Sequence, residues 1–265
     1  NKGLDVYIKP EKEHQYTITV DVARGVTKDY SAFCVIDTTT IPYQLVAKYR
    51  NNTIKPLLFP NIIHEVACAY NHAYILVEIN DIGAQIGDIL QFDLEYDNLL
   101  MSAMRGRAGQ VIGQGFSGTK VQLGVKMSTT VKKTGCSNLK QLLEDDKLLL
   151  NDYQIISELT TFIQKGQAWE AEEGCNDDLA MCLVIFSWLA TSDYFKELHD
   201  NDVRARMYKE QREGIEQDMA PFGFVDDGLG EETFVDKEGD VWQTNNRPDV
   251  MDEYGNKSYM WEYLS

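Results

Sequence analysis

Cysteine is scarce and scattered: five residues in 265 (Cys34, Cys68, Cys136, Cys175 and Cys182), with no C-x-x-C spacing. That excludes a structural zinc site or a disulfide framework as the organising device and fits a reducing compartment. The four histidines, His14, His64, His72 and His199, share no ligand spacing and read as ordinary surface or core residues. Long hydrophobic runs are also missing. The longest, Leu179–Ala190, is shorter than a membrane span and is interrupted by Ser187, so no membrane partner is expected. No basic-plus-apolar leader opens the chain. Asn1 stands where an initiator methionine would, which leads to the expectation of a fragment.

Positive charge is in short supply as well. The net charge is −17, which at first sight argues against a nucleic-acid partner. The distribution weakens that argument: residues His199–Ser265 hold 17 acids and 7 bases, a net of −10. We therefore expect three parts: a polar connector (1–15), a core (16–198) and an acidic C-terminal extension (199–265). Part of the remaining negative charge suits carboxylates gathered around divalent cations.

What is present is organised around Tyr16–Phe33. Ile18, Val20 and Val22 alternate with Thr17, Thr19 and Asp21, the period of a half-buried strand, which places Asp21 near its end and away from the apolar face. Runs 31–37 and 43–49 continue an antiparallel meander. Pro60 fits the first turn of a helix with an apolar stripe at Ile62, Ile63, Val66, Ala67 and Tyr70. The apolar run 73–78 reads as a buried strand ending at Glu78. A right-handed crossover brings that strand back parallel to the first, with Asp21 and Glu78 at neighbouring carboxyl ends. Aspartate is also common at strand ends for local reasons alone, so each acid singly carries little.

Further on, 83–90 predicts a helix, and the glycine-rich segment 103–124 a basic loop or twisted hairpin. Within it Gly113–Lys120 imitates a phosphate-binding loop but has Thr119-Lys120 where Lys-Thr is required, so no ATP site is expected there. Helices are predicted over 128–144 and 153–162, with a short strand at 148–150 between them. Asn176 is a suitable cap for a helix over the all-apolar segment after Asp178. Asp177 and Asp178 at its start also suit a helix dipole. Beyond Leu198 the pattern weakens, to a charged helix over 204–217 and a hairpin over 233–244.

Taken jointly, Asp21, Glu78 and Asp177/Asp178 form a rarer pattern. Carboxylates so placed suit two divalent cations, Mg²⁺ or Mn²⁺, because hard ions prefer oxygen ligands. Such ions activate water and stabilise charge on a phosphodiester during in-line displacement.

The motifs VDVARG-x-x-x-DYS, LVEIND-x-G and GCNDDLAMCLV, in this order over residues 16–198, resemble the C-terminal nuclease domain of the large terminase subunits of T-even-like tailed bacteriophages. The resemblance implies an α/β, RNase H-like (resolvase/integrase-type) fold, a mixed sheet flanked by helices. It also implies an endonuclease that cuts concatemeric viral double-stranded DNA during packaging, in the cytoplasm of the infected host and transiently at the procapsid portal. Asp21 would be the central metal ligand, Glu78 the second and Asp178 the third, with Asp177 its neighbour. The sequence leaves open which of the last two binds metal. Asp29 matches an additional acid, and Asn80 and Gly83 the E-x-N-x-x-G turn. The ATPase motor would lie elsewhere in the full-length protein, and the portal protein and small terminase subunit would be partners. Arg105, Arg107, Lys120, Lys126, Lys132 and Lys133 are the candidates for phosphate contact, with little sequence specificity expected. The competing readings are a Holliday-junction resolvase or transposase of the same fold, and a non-catalytic portal- or motor-docking module.

Overall fold

In the computed structural model, the described residues are 3–22, 30–80, 82–104, 109–113, 121–166, 168–198 and 200, with four short strands near the C-terminus. They fall into two units, Asn1–Ala205 and Arg206–Ser265.

The first unit is built on a six-stranded mixed sheet. Five of its strands, β1 (Leu4–Val6), β2 (Tyr16–Asp21), β3 (Ser31–Asp37), β4 (Tyr43–Asn51) and β5 (Tyr74–Val77), lie in the spatial order β1-β4-β3-β2-β5. The meander β2-β3-β4 is antiparallel, and β5 returns parallel to β2 after the helix α1 (Phe59–Ala69), as the crossover argument predicts. Leu4–Val6 lies in the segment expected to be a connector; it pairs instead with the edge of β4, which a three-residue run is too short to announce.

Both faces of the sheet are covered. Ile18, Val20, Phe33, Val35, Tyr49, Ile75 and Val77 pack with Phe59, Ile63 and Ala67 of α1. The α2 helix (Gly83–Asp88) supplies Ile86 to the same cluster. Ala32, Cys34, Ile36, Leu45 and Leu76 face the other way, towards α5 (Asp178–Ala190). The half-buried expectation for β2 therefore needs correcting: Thr17 and Thr19 are 0% exposed. Their face meets α5 rather than water, and the Thr19 hydroxyl is satisfied internally, donating to the Cys182 carbonyl at 2.9 Å.

The α5 segment is apolar all round because it is sandwiched. On its outer side lies α3 (Thr129–Glu144), capped by the Ser128 side chain, which accepts from the Val131 amide. The two helices approach so closely at Gly135 that a Cβ there would stand 2.5 Å from the Val184 carbonyl oxygen. The α4 helix (Tyr153–Thr161) follows β9 (Leu148–Leu149), which extends the sheet beside β4. A hairpin that the sequence did not disclose, β10 (Phe162–Lys165) with β11 (Ala168–Ala171), comes next. The glycine-rich segment forms a small antiparallel sheet of β6 (Met101–Met104), β7 (Gln110–Gly113) and β8 (Val121–Gln122). In the second unit β12 (Thr233–Val235) pairs with β13 (Val241–Gln243) at the expected hairpin, and β14 (Asp249–Met251) with β15 (Lys257–Tyr259). The helix expected over 204–217 lies outside the described residues. Among the described residues no helix is long and apolar enough to cross a membrane.

One buried charge network sets α4 in place. Lys48, 1% exposed on β4, donates to Asp152 Oδ2 at 2.7 Å and to Gln154 Oε1 at 2.6 Å. Asp152 also accepts from the Tyr7 hydroxyl and, through Oδ1, caps α4 at the Ile155 amide. Burial works to raise the Asp152 pKa, but Lys48, Tyr7 and that amide more than offset it, leaving it below the ordinary value. A depressed pKa means that this stabilisation is complete above the unfolded aspartate value and is lost as pH falls through the folded one. Lys48→Met should destabilise the domain by about 3 kcal/mol, since a buried carboxylate loses its cation. Chemical denaturation at neutral pH measures this, and the gap between the two proteins should narrow below pH 4.

Candidate active site

The β2–β5 pairing decides the geometry. Val20 stands beside Val77, and the Glu78 amide donates to the Val20 carbonyl at 2.9 Å, so the next residues, Asp21 and Glu78, emerge side by side. Their carboxyls are close enough to act on each other's ionisation. Burial first, then the charges of Glu78, Asp178 and Asp177, push the Asp21 pKa well above the carboxylate range. Burial also raises Glu78, opposed by its interaction with Asp21, by the charge of Lys132 and by the hydrogen bond from Asn80.

The turn after β5 aims Glu78. Asn80 donates to Glu78 Oε1 at 2.7 Å, and the Gly83 amide donates to the Asn80 carbonyl at 3.0 Å. A Cβ on Gly83 would fall 1.8 Å from the Glu78 carbonyl oxygen, an impossible contact. The glycine of the E-x-N-x-x-G pattern is thus required by close approach. Gly83→Ala must displace the Glu78 backbone; we expect Mn²⁺ affinity, measured by calorimetry, to fall about tenfold or more, the scale on which misplaced ligand support acts.

Asp177 and Asp178 arrive on the N-terminus of α5. Asp177, not Asn176, is the cap residue, and its side chain makes no capping bond. The helix is capped from outside: Glu158 Oε2 on α4 accepts from the Leu179 and Ala180 amides at 2.8 and 3.1 Å. Capping therefore does not explain Asp177, because Glu158 does that work, while Asp178 keeps its place in the first turn, where it suits the dipole. Asp177 lines the same cleft as Asp21 and Glu78. Asp178 turns towards Arg50, with Oδ2 3.5 Å from Nη2, while its Oδ1 accepts from the Tyr30 amide at 3.3 Å. Burial pushes Asp178 up to about 6 despite Arg50, and Glu158 up to about 7.

The cleft, of about 690 Å³, has an acidic floor of Asp21, Glu78 and Asp177. Its walls are Ser128, Thr129, Lys132 and Lys133 from α3 and Trp169 and Glu170 from β11. Lys126 lines a neighbouring groove of about 890 Å³, which meets the cleft at Asn80 and Met127. Asp29, Arg105, Arg107 and Lys120 lie outside the described residues.

Among the described residues, no three His, Cys, Asp or Glu side chains stand ready-made around one ion position. The acids stand instead as two neighbouring carboxyls, Asp21 and Glu78, and an ion pair, Asp178–Arg50. The donor set still suits a hard divalent cation. It is all carboxylate oxygen, and the buried Asp178 Oδ2 has no hydrogen-bond partner.

Two participants escaped the sequence reading. Arg50 lies within the largely apolar strand YQLVAKYRN, and a cation there is itself a sign of a buried partner. Glu158 sits on the buried side of α4 with Ile155 and Leu159, where a solvated acid has no place.

Residues 18–208 match the family profile described as the terminase RNase H-like domain. Among solved structures, the chain resembles the large terminase nuclease from thermophilic phage G20c with bound magnesium (TM-score 0.54, 22% identity, 71% of this chain and 87% of that one). It also resembles the cobalt-bound form of that nuclease (0.53, 23%, 71% and 87%). The Thermus phage P74-26 large terminase nuclease domain is similar too (0.51, 22%, 70% and 84%). At such identities the likeness is one of fold.

Proposed function

The chain belongs to the terminase RNase H-like domain family, and from that premise we propose that it is the nuclease part of a large terminase subunit, an endonuclease acting on concatemeric viral double-stranded DNA during packaging. The observation that carries this reading is the Asp21–Glu78 pair at adjoining carboxyl ends of parallel strands, on the floor of a cleft walled by Lys132 and Lys133. Asp21, Glu78 and Asp178, with Asp177 beside them, would hold two Mg²⁺ or Mn²⁺ ions, and Asp29 is an additional candidate. When bound, such ions supply an activated water and neutralise charge on the scissile phosphate.

The protein's own groups do the rest. Asn80 fixes the direction of Glu78, and the buried backbone of β2 and β5 keeps the two carboxyls in register. Lys132 and Lys133 offer cations to the DNA backbone, with Lys126 continuing the track and Arg105, Arg107 and Lys120 as further candidates. Contacts to phosphate rather than base edges imply little sequence specificity. The motor domain of the same full-length protein, the portal and the small subunit are the proposed partners, residues 199–265 an acidic extension of the core, and the infected cell's cytoplasm the setting.

The test is incubation of supercoiled plasmid, linear duplex and a four-way junction with the protein in Mg²⁺, Mn²⁺ or EDTA. Metal-dependent nicking of plasmid and duplex is expected. Cleavage confined to the junction would reassign the chain to resolvase chemistry, and intact DNA in every lane would leave only a docking role.

A further inference from the structure

Arg50 lies in one row with the candidate metal ligands. Asp21 pairs with Ala32, and Ala32 with Arg50, so three directly opposed residues on neighbouring antiparallel strands share the face beneath α5. Only a methyl group separates acid from guanidinium along the sheet.

The guanidinium is poorly satisfied. Its Cζ lies 4.0 Å from the Tyr30 ring centroid, and Nη2 stands 3.3 Å from Glu158 Oε1 and 3.5 Å from Asp178 Oδ2. Neither contact is a hydrogen bond: Nε, Nη2, Glu158 Oε1 and Asp178 Oδ2 are all buried without one. Nε and Nη2 form one of the edges by which arginine grips a carboxylate with two parallel bonds. Two carboxylates compete for that edge and neither has it. Such an arrangement is costly to leave standing and resolves by a small movement towards either side. A cavity of about 230 Å³, lined by Arg50, Glu158, Ser157, Tyr153 and Asn176, gives the guanidinium room.

The two acids are not equally free. Glu158 is committed through Oε2 to two amides of α5, whereas Asp178 is held by a single 3.3 Å bond from Tyr30. We infer that Arg50 and Glu158 are positioning residues for the metal centre: Arg50 holds Asp178 while no ion is bound, and Glu158 takes Arg50 over when Asp178 is drawn to a divalent cation. This rests on the metal-dependent reading of the site given above. It adds that the third carboxylate is exchanged between an arginine and an ion, with Glu158 as the second partner that makes the exchange cheap.

The experiment measures Mn²⁺ affinity by calorimetry, at fixed pH, for wild type, Glu158→Gln, Arg50→Met and the double variant. Glutamine still accepts from the Leu179 and Ala180 amides through its carbonyl, so the α5 cap survives. Arg50 is then left with Asp178 alone, and affinity should fall about tenfold, within the usual range of coupling between neighbouring groups. Arg50→Met should bind Mn²⁺ at least as tightly as wild type. In the double variant the Glu158→Gln loss should vanish, because nothing remains to hand over. Losses that simply add, as long-range charge effects do, would overturn the inference, as would no loss in Glu158→Gln. If Arg50→Met fails to fold, Arg50→Lys serves in its place: one charge without the two-nitrogen edge should shrink the Glu158→Gln effect, and an unchanged effect overturns the exchange. Wild type that binds no Mn²⁺ would instead overturn the metal reading itself.

Discussion

Asp21→Asn should leave a folded protein that no longer cuts DNA. The residue sits at the point where the fields of Glu78, Asp178 and Asp177 add, and its own carboxyl is the most strongly burdened of the set. An amide is nearly the same shape, so packing beneath α5 is undisturbed, but it offers a cation one neutral oxygen in place of an anion. We expect plasmid nicking in Mn²⁺ to fall by about a thousandfold or more, roughly 4 kcal/mol of transition-state stabilisation. The same change removes a buried like-charge conflict. Without metal the variant should therefore be more stable than wild type, with Tm raised by about 2–4 °C for each kcal/mol relieved. Loss of activity with a gain in metal-free stability is the signature of a functional site; a variant that still nicks at the wild-type rate would remove Asp21 from the mechanism.

The second large effect is on pH. Burial lifts Glu158 to about 7 and Asp178 to about 6, and Asp21 and Glu78 are raised with them. A raised pKa means that the folded state binds protons more tightly than the unfolded chain. The favourable contribution is thus complete below the ordinary carboxylate values and is lost as pH climbs through the folded ones. Each unit of difference is worth at most about 1.4 kcal/mol, and partial solvent access reduces it, so from pH 5 to 8 the metal-free domain should lose roughly 2–3 kcal/mol. Melting in EDTA should show Tm falling by about 5–10 °C across that interval. Mn²⁺ at pH 8 should restore most of it, because an ion satisfies the carboxylates without protons. A Tm in EDTA that stays level from pH 5 to 8 would show that the acids are solvated rather than gathered in a buried cluster. The Lys48–Asp152 pair has the opposite sign and acts only at lower pH, so the two effects separate cleanly.

The central sheet was readable because its strands and their crossover obey local rules. Alternation in β2, an apolar run in β5 and a proline-led helix between them are enough to bring Asp21 and Glu78 together. What stayed hidden depends on partners distant in sequence. Thr17 and Thr19 look like a solvent face until α5, more than 150 residues away, is laid on them. The β10–β11 hairpin is built of two four-residue strands, too short a run for the alternation in β11 to stand out, and Phe162, which seemed to end a helix, begins a strand. At the site, the acids that end strands and open α5 announced themselves by position. Arg50 and Glu158 did not, since their significance lies in facing each other across β4 and α4.

The way α5 is buried has a consequence for how the domain is made. Its apolar surface fills the space between sheet and α3, and its first residue brings the third acid. A nascent chain that has emerged only as far as α4 can pair its strands, but Cys34, Ile36, Leu45 and Leu76 lie bare on one face and Asp178 has not yet been delivered. A large hydrophobic surface and the Asp178 carboxylate thus arrive on one segment. Docking of α5 therefore covers the sheet and places Asp177 and Asp178 in a single event, and a ribosome-bound or truncated copy ending before α5 lacks both acids.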